Sequence, residues 1–264
     1  AVPECIITNT HLGWGIYSWV NGKPIEQINQ VFLEKAFDFI QKLFSDSRSE
    51  INQLSKIFNE ASEACLSGSE IYRQIETRRE KLKSVDVEPL QKFFQEKFDP
   101  YLKFIIEKIK NNSEDFFYIS LPRSLQILSP SDFGAHNALK IAEDKFIFVD
   151  FEYFGWDDPV KLISDFYWHP GMNLSQSLKN QWLNYAQNLC TDDLYFTKRL
   201  YSYLPLYGLR WCLILLNEFL TKKLQHRIHA HGVSLEDIAN IQMKQLNKSE
   251  NLLETIKRMP LYYG

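Results

Sequence analysis

Between residues 116 and 161, a chain otherwise patterned for helices changes character. Upstream, apolar residues recur at spacings of three and four: Ile28, Val31, Phe32, Ala36, Phe39, Ile40 and Leu43. That spacing lines one face of a 3.6-residue period and predicts a helix over 28–44. Inside 116–161 the apolar runs are short, Pro122 and Pro130 punctuate them, and 137–141 and 145–149 read as strands. A chain of this pattern folds as α+β, mostly α, with a small β portion set into a helical body.

Further helices are expected over 49–66, from a Ser69 cap to about 82, from Pro89, and from Pro100 to 109. Asp158-Pro159 reads as a cap followed by the first helical position. The remaining chain is expected to be helical over 174–190, 192–202, 204–229 and 234–259, with Ser234 and Asp237 at capping-box spacing. The first 26 residues differ. Segments 4–8 and 15–20 are β-branched and aromatic around a turn at Gly13, and Asn21-Gly22-Lys23-Pro24 reads as a second turn. This predicts a hairpin, and a lone hairpin is marginal in water.

Composition narrows the function classes. The chain has 264 residues, 45% of them apolar, enough for a substantial core. A net charge of −3 argues against a nucleic-acid coat. Cys5, Cys65, Cys190 and Cys212 form no CxxC pair, which fits free thiols in a reducing cytoplasm. No run approaches 18 apolar residues, so no membrane span is expected. The N-terminus has neither a signal-peptide pattern nor an initiator Met, which predicts a start inside a longer gene product.

The non-helical segment also holds the candidate chemistry. It contains Ser131-Asp132-Phe-Gly-Ala-His-Asn137, then Val149-Asp150-Phe-Glu152, then Trp156-Asp-Asp158-Pro159, then Asp165. Phosphoryl transfer to a hydroxyl needs a carboxylate to orient the attacking oxygen, and an amide oxygen with a second carboxylate for Mg²⁺. Asp, four residues, Asn, and then an Asp closing a strand supplies that set in order.

These motifs resemble the catalytic loop and metal-binding strand of the aminoglycoside phosphotransferase and choline kinase-like small-molecule kinases. The segment Ile16-Tyr17-Ser18-Trp-Val20-Asn-Gly22 resembles the last small-lobe strand and hinge. The resemblance implies a division into a small-lobe remnant with hinge, 1–26, and a helical catalytic lobe, 27–264. It implies Asp132 as the catalytic base, Asn137 and Asp150 as Mg²⁺ ligands, and Asp158 and Asp165 as structural residues. It places adenine against Tyr17, the Ser18 carbonyl and the Val20 amide, with ATP or GTP as co-substrate. Glu152, Tyr153 and Trp156 would face a small hydroxyl-bearing substrate. Pro130 stands where the family has a His. The family's Gly-rich loop and strand Lys have no counterpart before the hinge, which leaves two expectations: a nucleotide lobe of roughly 80–100 residues upstream, or a protein defective in transfer.

Simpler readings attach to other residues. His226, His229 and His231 suit a solvated helix end better than a metal site. The run 73–83 mixes Arg and Lys with Glu76 and Glu80 and suits a solvated helical face better than a nucleic-acid patch. The leading expectation is a small-molecule phosphotransferase. The alternative is a non-catalytic pseudokinase or helical interaction module.

Overall fold

The structure, a computed structural model, describes residues 2–220 and 235–260, with backbone alone at 112–116 and 235–236. The elements are β1 (Cys5–Asn9), β2 (Trp14–Tyr17), β3 (Lys23–Pro24), α1 (Gln30–Ser49), α2 (Ile51–Ile57), α3 (Gly68–Lys83), α4 (Glu88–Phe93) and α5 (Asp99–Tyr118). There follow β4 (Ile127–Ser129), β5 (Ala138–Ala142), β6 (Lys145–Phe148), β7 (Gly155–Asp157), α6 (Pro159–Trp168), α7 (Gln176–Leu189) and α8 (Phe196–Leu215), and a last helix covers Leu235–Lys257. The fold is α+β and mostly α. No helix among the described residues is long and apolar enough to cross a membrane. The chain divides into two compact units, residues 1–64 with 121–196 and residues 65–120 with 197–264.

The first unit carries every candidate site residue. Strands β1 and β2 pair antiparallel, Cys5 opposite Tyr17 and Asn9 opposite Trp14. Gly13 closes their turn at φ +65°, a conformation that costs glycine little. The expected turn at 21–24 instead carries β3, which pairs Lys23 with Lys140 and Pro24 with Leu139 on β5. A Cβ at Gly22 would lie 2.8 Å from Leu139 Cβ, so this crossing needs glycine. Helix α1 starts on an Asn29 cap, whose side chain accepts from the Phe32 amide. Its buried residues include Phe32, Ala36 and Ile40 of the expected stripe and add Leu33, while Val31 is exposed and Ile28 precedes the helix.

The expected helix over 49–66 is not formed. Only Ile51–Ile57 is helical, and it buries no residue. The chain then extends and runs parallel to β7: Trp156 N–H donates to Asn59 O, and Ala61 N–H to Trp156 O, both at 3.0 Å. Strand pairing thus overrides local helical spacing. Gly155 permits the close approach, since a Cβ there would lie 2.5 Å from Ala61 N.

Strand β7 also pairs antiparallel with β4, Leu128 opposite Trp156. Helix α6 begins as expected: the Asp158 side chain accepts from Val160 N–H, with Pro159 in the first turn. All ten residues of α6 are buried. Phe166 stacks on Trp182 of α7 at 3.8 Å between ring centroids, and Trp182 Nε1 donates to the Ile163 carbonyl.

In the second unit, α3 is capped by Ser67 rather than Ser69. Ser67 Oγ accepts from Glu70 N–H, and the Glu70 carboxylate accepts from Leu66 N–H at 2.6 Å. Helix α4 passes through a wide turn at Phe94–Phe98 into α5, which runs on to Tyr118, beyond the expected end at 109. Arg79 grips Asp99 with two nitrogens at 2.6 and 2.8 Å, a fork that holds the Asp99 carboxyl below its ordinary range despite burial. The helices expected over 192–202 and from 204 are one helix, α8, with Pro205 inside. Tyr203, Leu204, Leu206 and Tyr207 around it are essentially fully buried, and that packing outweighs the lost backbone bond. The Ser234 cap and His226, His229 and His231 lie outside the described residues.

Candidate active site

The loop from β4 to β5 is anchored by its one phenylalanine. Phe133 is buried against Phe39 (5.6 Å), Phe148 (4.8 Å) and Phe166 (5.9 Å), rings from α1, β6 and α6. With that ring in the core, Asp132 and His136 on either side stay partly or fully exposed. A 3-10 turn over Ala135–Asn137 then delivers the chain to β5.

Asp132 is the centre of the polar contacts. Its Oδ1 lies 2.9 Å from His136 Nε2, and its backbone carbonyl accepts from Asn137 Nδ2 at 2.9 Å. The His136 bond, first of all, holds the Asp132 carboxyl below its ordinary range, against partial desolvation. The His136 ring stacks on His169 at 4.1 Å with planes 7° apart. His169 Nδ1 accepts from Gly171 N–H, which leaves the ring proton on Nε2.

Asn137 and Asp150 are brought together by backbone: Val149 N–H donates to the Asn137 carbonyl at 2.9 Å. Asp150 follows β6 at φ +65°, exposed. The Tyr153 phenol is held above its ordinary pKa, first by its hydrogen bond to Glu152, then by the charges of Glu152, Asp132 and Asp150. All three carboxylates thus act electrostatically on one exposed phenol. The donor set fits Mg²⁺, a hard cation that takes oxygen ligands. Asn137 spends an amide N–H on the Asp132 carbonyl, and its amide oxygen and the exposed Asp150 carboxylate are both oxygen donors of that kind. The ligand atoms of Asp132, His136 and His169 also lie within 4.8 Å of one another. Parallel rings set their lone pairs side by side rather than convergent, and His169 Nδ1 is already engaged, so a hydrogen-bonded cluster describes them better than a metal centre.

The other candidate residues are placed as follows. Tyr153 is 43% exposed, and Glu152 is exposed. Trp156, expected at the substrate, is instead fully buried in β7 with Arg123 over its ring at 4.8 Å. It is a core residue, with its side chain out of solvent. Tyr17 ends β2 and is exposed. Ser18 N–H donates to the Glu4 carbonyl, Ser18 Oγ accepts from Glu4 N–H, and the Val20 carbonyl accepts from Gly22 N–H. Through β3, this segment is tied to the strand that follows Asn137. Sequence reasoning passed over His169, whose only signal is its place after α6, and Lys161, flanked at four residues on either side by Asp157 and Asp165.

His169 also predicts an acid sensitivity. Burial, then the neighbouring His136, push its imidazole from 6.5 down to about 4. Folding therefore resists a proton that the unfolded chain accepts. The associated stability is full above pH 6.5 and lost as pH falls toward 4, by about 3 kcal/mol in all. Urea unfolding at pH 7 and pH 4 is expected to show a smaller pH-dependent loss in His169→Gln than in wild type. An equal loss contradicts this reading.

No family model matches the sequence, and no curated protein matches it. Solved structures do. A spectinomycin phosphotransferase in complex with ADP and spectinomycin superposes with a TM-score of 0.54 at 10% identity, covering 92% of this chain and 71% of that one. A choline kinase from Streptococcus pneumoniae gives 0.53 at 9% identity, with 96% and 75% covered. A choline kinase from Cryptosporidium parvum Iowa II gives 0.52 at 12%, with 97% and 74% covered. The chain therefore has the fold shared by aminoglycoside phosphotransferases and choline kinases.

Proposed function

We propose that this protein transfers the γ-phosphoryl group of ATP or GTP to a hydroxyl of a small polar molecule. The observation that carries the reading is the cluster around Asp132. A partly exposed carboxylate, kept ionised by His136, sits one loop away from an amide and a carboxylate that share a backbone link. That arrangement suits a group that orients an incoming hydroxyl and accepts its proton as the bond to phosphorus forms. His136 holds one carboxylate oxygen, and the partly exposed carboxylate would meet the acceptor. Asn137 and Asp150 would hold Mg²⁺, which when bound offsets charge on the nucleotide phosphates.

Further support is the fold, which the nucleotide-bound spectinomycin phosphotransferase shares. On this reading residues 1–26 belong to a small lobe and hinge, 27–264 to the catalytic lobe, and Tyr17, Ser18 and Val20 to the adenine contact. Glu152 and Tyr153 face the acceptor, and the acidic surroundings suit a cationic or neutral one. The alternative is a pseudokinase that keeps the fold without transfer.

Specific ligands raise the melting temperature by mass action. Thermal shift of the full-length protein is therefore expected to show stabilisation by Mg·ATP or Mg·GTP, and further stabilisation by some member of a panel of sugars, amino alcohols and aminoglycosides. No shift with either nucleotide contradicts the proposal. A nucleotide shift without turnover favours the pseudokinase.

A further inference from the structure

Ser131, immediately before Asp132, sits at φ +66°, the left-handed region that suits glycine. A non-glycine residue there is disfavoured by about tenfold in population, so something must hold it. Three contacts do. Ser131 N–H donates to Ser129 Oγ at 3.0 Å, and Ser131 Oγ donates to the Ser62 carbonyl at 3.3 Å. Lys161 Nζ donates to Ser131 Oγ at 2.8 Å. Lys161 is 2% exposed, and its ammonium lies 3.1 Å from Asp157 and 3.6 Å from Asp165. Asp157 closes β7, and the other two side chains lie on α6 at a spacing of four. A buried cation between two carboxylates is a fixed point, because moving it costs both pairings. From that fixed point it also donates to the residue next to Asp132.

We infer that Lys161 is a positioning residue that fixes the Asp132 loop through the Ser131 hydroxyl. The consequence for turnover rests on the phosphotransfer proposal; the consequence for the loop does not. A competing role is local: Lys161 could serve only to neutralise Asp157 and Asp165. Substitutions at Ser131 separate the two, because they leave both ion pairs in place.

The test compares S131A and S131G. S131A removes the hydroxyl and keeps the left-handed strain. S131G removes the hydroxyl and the strain together. Amide hydrogen exchange at Asp132 and Asn137 is expected to accelerate about tenfold in S131A and to recover most of the way in S131G. With an acceptor in hand, kcat should fall about tenfold in S131A with nucleotide KM nearly unchanged, and S131G should restore most of it. K161M should resemble S131A, and should add little in the S131G background. The Ser131 pair decides the matter if K161M fails to fold.

Wild-type exchange rates in S131A overturn the inference. So does S131G falling as far as S131A, since the hydroxyl would then act otherwise than by holding a strained backbone. If the exchange pattern holds while wild type transfers no phosphate, the phosphotransfer proposal fails and the loop anchor stands.

Discussion

Replacing Asp132 by Asn is expected to lower phosphoryl transfer by about 10³-fold while leaving the affinity for Mg·nucleotide within about threefold, since Asn137 and Asp150 are untouched. The substitution is nearly isosteric. An Asn oxygen can still accept from His136 Nε2–H, and the backbone carbonyl that receives Asn137 Nδ2 remains. What disappears is the charge and the ability to take a proton. The effect should therefore fall on kcat rather than on KM, and nucleotide-induced thermal shift should persist. Turnover equal to wild type would remove Asp132 from the chemistry. A parallel loss of nucleotide binding would mean instead that the substitution had disturbed the loop.

The second large effect is on stability. Trp156→Ala is expected to cost about 3–5 kcal/mol, or roughly 10 °C in Tm for a chain of this size. The indole is fully buried with the Arg123 guanidinium over it, and its backbone is held on one side by the 59–61 segment and on the other by β4. Its removal leaves a cavity under a backbone pinned on both edges, so collapse is limited. Denaturant unfolding reads the loss directly. A change in acceptor KM with unchanged stability would restore Trp156 to the substrate site and contradict its place in the core.

What the sequence makes legible is chiefly local. Asp158-Pro159 announces a helix start because capping chemistry acts over three residues, and the structure forms that cap. The α1 stripe is legible because burial repeats with the helical period. The Asp132, Asn137 and Asp150 set is legible as an ordered motif, and the structure links its members by a loop and a strand end. Non-local pairing is what escapes. Nothing near residues 59–61 shows that they will run beside Trp156, and helical spacing there points the other way. Trp156 misleads for the same reason: an aromatic beside a candidate site has no visible side until its strand partners are known. Lys161 is hidden because lysine is ordinarily a surface residue. Only its two acidic neighbours four residues away hint that its charge is matched. Ser131 is hidden because a left-handed backbone leaves no trace in a serine.

The most direct test of the central claim is phosphorus NMR of the full-length protein with Mg·ATP or Mg·GTP and an acceptor panel. The account predicts a Mg²⁺-dependent phosphate-monoester resonance with at least one hydroxyl compound, growing as the γ-phosphate signal declines, and its absence with Asp132→Asn. Nucleotide left unconsumed with every acceptor by a folded wild-type protein would contradict it.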